Sequence, residues 1–183
     1  MKTLIVFICI LFPLFSSFAG ENIILYRSGE KDQTSWNLMK NYFDRKGYDT
    51  GIYEKPDSFE EHLKNVNSIN RTKASFMLVI DFRMGAENNL FIAVTDSKKV
   101  KGNFLAIEEI PGKHAVRSME YAKCVASSYG KKVKELPLFP LLGVDVPGVF
   151  LRMECTKDGA MGTLNILTEC LQKYFTRGAK NEK

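Results

Sequence analysis

The feature that most constrains the fold is a run of apolar residues, FMLVI at residues 76–80, followed at once by the charged residue Asp81. An unbroken apolar run of this length is typical of a central parallel strand, because such a strand is covered on both faces. The mostly polar segment NRTKAS precedes it, as expected where a helix ends before a strand. The sequence therefore predicts a buried strand that ends on a carboxylate.

Predicted strands and helices alternate along most of the chain. The predicted strands are residues 23–27, 49–54, 76–80, 90–95 and 148–153. The predicted helices are residues 34–46, a segment that starts at Ser58, residues 114–129 and residues 160–175. Ser58 and Glu61 have the spacing of a capping box, and Asp158 is a candidate cap for the last helix. This alternation predicts an α/β fold with a mostly parallel sheet sandwiched by helices.

The first 19 residues have the pattern of a secretory signal peptide. Lys2 gives a basic start, and residues 4–15 are an almost unbroken apolar run that contains Pro13. Small residues precede Gly20. The run is shorter than the roughly 20 residues that span a bilayer, although an uncleaved anchor is the alternative. We expect residues 20–183 to form a single secreted domain, periplasmic or extracellular, with no stable transmembrane segment after processing.

The net charge of +5 is scattered along the chain. Two short lysine groups lie at residues 98–101 and 131–134. Scattered lysines usually form a solvated surface, and weak attraction to anionic wall polymers is the alternative reading. The predicted export signal disfavours nucleic acid as a partner.

Three cysteines follow the predicted signal peptide: Cys124, Cys155 and Cys170. An odd number leaves at least one thiol unpaired in a monomer. Each has apolar neighbours, so we expect small buried side chains, and a disulfide depends on geometry that the sequence does not give. Cys155 is a conceivable nucleophile, but no histidine is placed beside it. The sequence has neither a Gly-x-Ser-x-Gly motif nor a glycine-rich phosphate loop.

Several segments, taken in order, resemble the amidase-3 family of zinc N-acetylmuramoyl-L-alanine amidases, which are cell-wall hydrolases. They are GY at residues 47–48, SFEEH at 58–62, NRTKASFMLVID at 70–81, LPLFPLL at 136–142 and VPGVFLRM at 146–153. The resemblance covers nearly all of residues 20–183. It implies an amidase-3-like α/β fold.

The resemblance also implies a zinc site in which two histidines and a carboxylate hold the metal and a glutamate transfers a proton. In this sequence Asp81 occupies the second histidine position and Arg152 the glutamate position. The loop that carries the family's first histidine has none here, and its carboxylate corresponds to Glu30 or Asp32. Arginine is no base near neutral pH and repels a cation. We therefore expect altered metal-ligand positions and an ion pair between Asp81 and Arg152.

The chain has only two histidines. His62 corresponds to an arginine in the family's helix, and we expect it on a solvent face. His114 is expected to be an ordinary residue in the first turn of a helix. It is nevertheless one of the candidate metal ligands, which are Glu30, Asp32, Asp81 and His114.

Two functions of different class are open. The first is a secreted pseudoenzyme without zinc that binds a peptidoglycan fragment or an envelope protein. Open α/β sheets bind ligands at the carboxyl ends of their strands, so such a cleft would be lined by Arg27, Asp81, Arg83 and Arg152. The arginines would pair with peptide carboxylates.

The second function is an active zinc-dependent N-acetylmuramoyl-L-alanine amidase with a metal site rebuilt from the four candidate ligands. A structural α/β domain without any small ligand is a third reading. Metal content and wall hydrolysis together distinguish the pseudoenzyme from the amidase.

Overall fold

The computed structural model describes residues 20–29, 33–96, 107 and 109–181. The predicted signal peptide, the candidate ligands Glu30 and Asp32, and the first lysine group lie outside the described residues. Across the described ranges, no helix is both long enough and apolar enough to cross a membrane.

Strands and helices alternate as predicted. The strands are β1 (Asn22–Arg27), β2 (Asp49–Glu54), β3 (Phe76–Met84), β4 (Asn89–Thr95), β5 (Lys134–Leu136) and β6 (Gly148–Cys155). The α-helices are α1 (Gln33–Arg45), α2 (Phe59–Arg71), α3 (Ala115–Ser128) and α4 (Gly159–Asn181). Short 3-10 helices cover Ile110–His114 and Phe139–Leu141.

The strands form one sheet in the order β2-β1-β3-β6-β4-β5. β2, β1, β3 and β6 are parallel, whereas β4 is antiparallel to β6 and parallel to β5. The predicted α/β fold with a mostly parallel sheet between helices is confirmed. β5 was not predicted, because its three residues are all exposed and carry no apolar pattern.

The central strand β3 is buried from both sides. Each of residues 76–80 is 0% exposed, which explains the unbroken apolar run. Phe76, Leu78 and Ile80 belong to a larger core layer with apolar residues of α1, α3 and α4. Met77 and Val79 belong to a smaller core layer with residues of α2. The two layers are the physical basis of the sandwich.

Several elements extend beyond their predicted ends. β3 does not stop before Asp81 but continues beside β6, from the pair Asp81 and Arg152 to the pair Met84 and Cys155. The backbone pairing of β3 with β6 continues through these residues, although their side chains are no longer uniformly apolar. α4 likewise continues past its predicted end at residue 175 and runs to Asn181.

Two caps were predicted, and one of them is confirmed. The Ser58 hydroxyl accepts a hydrogen bond from the Glu61 backbone N–H at 3.2 Å, at the start of α2. The Glu61 carboxylate accepts in turn from the Asp57 backbone N–H at 2.9 Å. At α4 the hydroxyl of Thr156, rather than Asp158, accepts from the Gly159 N–H at 3.0 Å.

A disulfide between Cys124 and Cys170 joins α3 to α4, with the two Cα atoms 5.8 Å apart. The sequence left a disulfide open, and this one forms because α3 and α4 pack side by side and bring the two positions together. Cys170 is buried as expected, whereas Cys124 is only half-buried. The expectation holds for Cys155, a free thiol that is 1% exposed.

Replacing the disulfide in the variant Cys124→Ser/Cys170→Ser will lower the free energy of unfolding by about 4 kcal/mol. The physical reason is that the cross-link closes a loop with a sequence separation of 46 residues in the unfolded chain. Urea unfolding followed by circular dichroism measures the change. Cys155→Ser keeps the disulfide and is the control. A double variant as stable as the unaltered protein would contradict this account.

Candidate functional site

The candidate site is built around Asp81 in β3. Its side chain is only 6% exposed, and it follows Met77 and Val79 on the face of β3 that α2 covers. Side chains alternate along a strand, so Asp81 is directed away from the larger core layer. A carboxylate that loses its water here needs charged or hydrogen-bonding partners.

Two arginines supply those partners. Arg152 Nε donates to Asp81 Oδ2 at 2.8 Å, and Arg83 Nε donates to Asp81 Oδ1 at 3.4 Å. Both arginine side chains are more than half exposed, at 59% and 56%. The predicted ion pair between Asp81 and Arg152 is confirmed. We call Arg83 and Arg152 the arginine pair.

The sheet positions the arginine pair. Arg152 is the register partner of Asp81 across the parallel strands β3 and β6. Arg83 lies two residues after Asp81 on the same strand and therefore on the same face. The Arg152 guanidinium also lies 6.0 Å from the ring centre of Phe150, the preceding residue on that face of β6.

Gly29, just after β1, closes the site on the β1 side. The Ser28 backbone N–H donates to the Ile80 carbonyl at 2.8 Å and holds this turn against β3. A Cβ atom at position 29 would lie 3.2 Å from the Asp81 Cα and would overlap the Asp81 carboxylate. Gly29 was not among the predicted site residues. The available signal was a glycine two residues after the end of a predicted strand.

Arg27 is not brought together with the arginine pair. It is aligned with Ile80, so its side chain lies on the opposite face of the sheet. There it is 5% exposed, forms an ion pair with Glu54 and lies 5.8 Å from the ring centre of Trp36. These contacts make Arg27 a structural residue that packs between β2 and α1.

His114 also lies away from Asp81. Its Nε2 is 3.0 Å from Asp145 Oδ1, and Asp145 precedes the first residue of β6. His114 therefore sits at the amino end of the parallel strands, whereas Asp81 pairs with a residue in the carboxyl-terminal half of β6.

The expected solvent position of His62 is wrong. The residue is 0% exposed, its Nε2 lies 2.9 Å from the Leu142 carbonyl oxygen, and its ring centre is 4.4 Å from that of Phe139. The segment before β6 folds over α2 and covers His62. His62 lies on the same face of α2 as the core residues Val66 and Ile69, and the loop completes its burial.

Cys155 lacks the properties of a nucleophile. Its side chain belongs to the larger core layer, and its thiol lies 3.5 Å from the Thr163 hydroxyl. Burial raises the pKa of the Cys155 thiol, which disfavours the reactive thiolate.

The residues around Asp81 do not fit a zinc ion. Protein zinc sites use about four nitrogen, oxygen or sulfur donors, whereas here two guanidinium groups contact a single carboxylate. In the part of the chain that the structure describes, no group of three or more His, Cys, Asp or Glu side chains could hold a metal ion. A second carboxylate, that of Glu154, belongs to the register partner of Arg83 on β6, so the two arginines lie beside two carboxylates. The guanidinium groups are more than half exposed and can still bind an anion.

The fold is shared with solved structures of amidases. The chain is similar to the N-acetylmuramyl-L-alanine amidase Ami1 from Mycobacterium smegmatis, with a TM-score of 0.59 and 10% identity over 88% of this chain and 100% of that chain. It has the fold of an amidase catalytic domain. At this level of identity the likeness concerns the fold alone.

Two further structures agree. The catalytic domain of the CD27L endolysin targeting Clostridia Difficile matches with a TM-score of 0.55 and 11% identity over 84% of this chain and 97% of that chain. An N-acetylmuramoyl-L-alanine amidase from Clostridium difficile 630 matches with a TM-score of 0.54 and 12% identity over 90% of this chain and 99% of that chain. No family model and no curated protein matches the sequence.

Gly29→Ala will lower the free energy of unfolding by about 1–3 kcal/mol, because the added methyl group must displace the Asp81 carboxylate from between its arginines. Thermal or urea unfolding measures the loss. Gly162→Ala is the matched control, since a Cβ there meets nothing within 4 Å and the position is helical. The control should be neutral or stabilising by up to about 1 kcal/mol. Equal effects at the two glycines would show that Gly29 does not pack against Asp81 as described.

Proposed function

We propose that this protein is a secreted, amidase-like binding domain that holds a peptidoglycan fragment at the arginine pair and does not hydrolyse it. The observation that carries the proposal is the contact of one buried carboxylate, Asp81, with two half-exposed arginines. The chemistry of these three side chains is suited to an anion rather than to a cation.

The place of the arginine pair in the fold supports a ligand site. Open α/β sheets bind ligands beyond the carboxyl ends of their parallel strands, and Arg83 and Arg152 lie in the carboxyl-terminal halves of β3 and β6. Each arginine reaches Asp81 through Nε, which leaves its terminal nitrogens for a further acceptor. Peptide stems of peptidoglycan end in carboxylates, which arginine binds with charge-assisted hydrogen bonds.

The same residues argue against hydrolysis at this position. Arginine is no base near neutral pH, so Arg152 does not supply the proton acceptor that hydrolysis needs at this position. Two guanidinium groups at Asp81 would also repel a divalent cation. The solved amidases that share the fold favour a cell-wall ligand over an unrelated one, and the signal-like amino terminus favours export.

The second candidate function is an active zinc-dependent amidase with a rebuilt site. It is favoured by the close approach of Gly29 to Asp81, because Glu30 and Asp32 follow Gly29 directly in the sequence. His114 does not join this group, since it contacts Asp145 at the other end of β6.

After incubation with excess zinc and removal of unbound metal, we expect the purified protein to retain nearly no zinc and to release no peptide from peptidoglycan. The reason is the repulsion of a cation by Arg83 and Arg152. Elemental analysis and a wall-hydrolysis assay measure both properties. About one tightly held zinc per chain, lost in Asp81→Asn and accompanied by hydrolysis, would establish the amidase instead.

We expect the purified protein to bind a muramoyl peptide with a free terminal carboxylate more tightly than the same peptide as its terminal amide. Arg152→Gln and Arg83→Gln should each raise the Kd of the free acid about tenfold, the effect of one lost charged hydrogen bond of about 1.4 kcal/mol. Isothermal titration calorimetry measures both peptides.

Arg71→Gln is the matched control for this binding experiment, because Arg71 is an exposed arginine at the end of α2, before β3 begins. Arg152→Lys keeps the positive charge, and comparison with it separates a loss of binding from misfolding of Arg152→Gln. A preference for the free acid that survives in both glutamine variants would remove the arginine pair as the binding site.

A further inference from the structure

A second feature lies on the opposite side of the sheet from Asp81. A cavity of about 460 Å³ opens between α3 and α4, and the disulfide residues Cys124 and Cys170 form part of its wall. We call it the disulfide cavity. Its volume lies within the range of about 300–1,000 Å³ that is usual for small-molecule sites.

The two cysteines differ in exposure. Cys170 is 2% exposed, whereas Cys124 is half-buried and borders the cavity. Thiol–disulfide exchange begins when a thiolate reaches one sulfur atom, so access decides which one is attacked. The greater exposure of Cys124 favours attack at its sulfur, with Cys170 as the leaving group.

The cavity is also positively charged. Lys123, Lys173 and Arg177 line it, against one carboxylate, that of Glu120. Among the ion pairs found in the described ranges, none involves these three cations. Their charge is therefore available to a bound anion and stabilises a thiolate nearby.

The third cysteine does not reach the disulfide. Cys155 is 1% exposed, and its thiol contacts Thr163, which precedes Cys170 by seven residues on α4. Seven helical residues correspond to about 10 Å along the helix axis. Within the described residues, no free thiol reaches the disulfide, so its opening in the folded protein needs a thiol from elsewhere.

We propose that the Cys124–Cys170 disulfide is a thiol–disulfide exchange site for a small thiol that carries carboxylates. The carboxylates bind the basic wall of the disulfide cavity and place the thiolate against the Cys124 sulfur. This inference concerns a different face of the sheet and does not depend on the proposed function at the arginine pair.

The exchange is balanced in two steps. The thiolate attacks the Cys124 sulfur, the bond between the two cysteines breaks, and the Cys170 sulfur leaves with the electron pair and takes up a proton. A second molecule of the small thiol then attacks the mixed disulfide and releases the Cys124 thiol. Two small thiols are oxidised to one small disulfide, the protein disulfide is reduced to two thiols, and α3 is freed from its link to α4.

The test compares three thiols of different charge on the folded, purified protein: mercaptosuccinate, 2-mercaptoethanol and cysteamine. At each time point the reaction is quenched with acid, alkylated in denaturant and analysed by intact mass. The unreduced protein takes up an alkyl group at Cys155, and also at Cys9 if residues 1–19 are retained. The reduced protein takes up two more, at Cys124 and Cys170. Each rate is divided by the rate of the same thiol with a small neutral disulfide.

After this correction we expect mercaptosuccinate to react about tenfold faster than 2-mercaptoethanol, and cysteamine to react more slowly than either. The preference is the ratio of the corrected mercaptosuccinate rate to the corrected 2-mercaptoethanol rate. It should fall toward one in 1 M salt, because salt screens the charges. It should also fall in Lys123→Gln/Lys173→Gln but persist in Lys123→Arg/Lys173→Arg.

Lys64→Gln is the matched control, since Lys64 is an exposed lysine on α2, on the other face of the sheet. It should leave the preference unchanged. Equal corrected rates for the three thiols would overturn the proposal. So would a disulfide that opens only under conditions that unfold the protein, or a preference that is the same in the glutamine variant.

Discussion

The burial of the central strands on both faces is the constraint on which the rest of this structure depends. No residue from 76 to 80 is exposed, so both faces of β3 must be covered by other elements. Three helices pack over one face and α2 over the other. Parallel neighbours require crossover connections, and α1, α2 and α3 lie in such connections, whereas α4 follows the last strand and packs back onto the sheet. The charged side chains of β1, β3 and β6 therefore lie toward the carboxyl ends of these strands.

Asp81 lies where this burial ends. A charge at such a position is costly unless it is paired, and Arg152 is placed beside it by the strand register while Arg83 is placed by the two-residue repeat of its own strand. The arrangement that stabilises Asp81 also sets the local charge. Two half-exposed guanidinium groups contact one buried carboxylate here, in a fold that is shared with amidase catalytic domains.

The sheet separates two sites that differ in chemistry. The arginine pair lies on the face covered by α2, and the disulfide cavity lies between the helices of the other face. The first is held by backbone register, which changes little unless the protein unfolds. The second is held by a covalent bond that a thiol can open. The two proposals therefore rest on different physical interactions, and one can fail without the other.

The sequence by itself determined the alternation of strands and helices, the cap at the start of α2 and, through a family resemblance, the pairing of Asp81 with Arg152. The alternation is recorded in spacing along the chain, because burial of one face repeats with the period of its own element. The cap follows from the three-residue spacing of Ser58 and Glu61, and the pairing of Asp81 with Arg152 follows from the resemblance alone. Only the tertiary structure decided that Cys124 meets Cys170 and that a distant loop buries His62. Such contacts join residues far apart in sequence, and they depend on which helix faces which, a property that no local pattern contains.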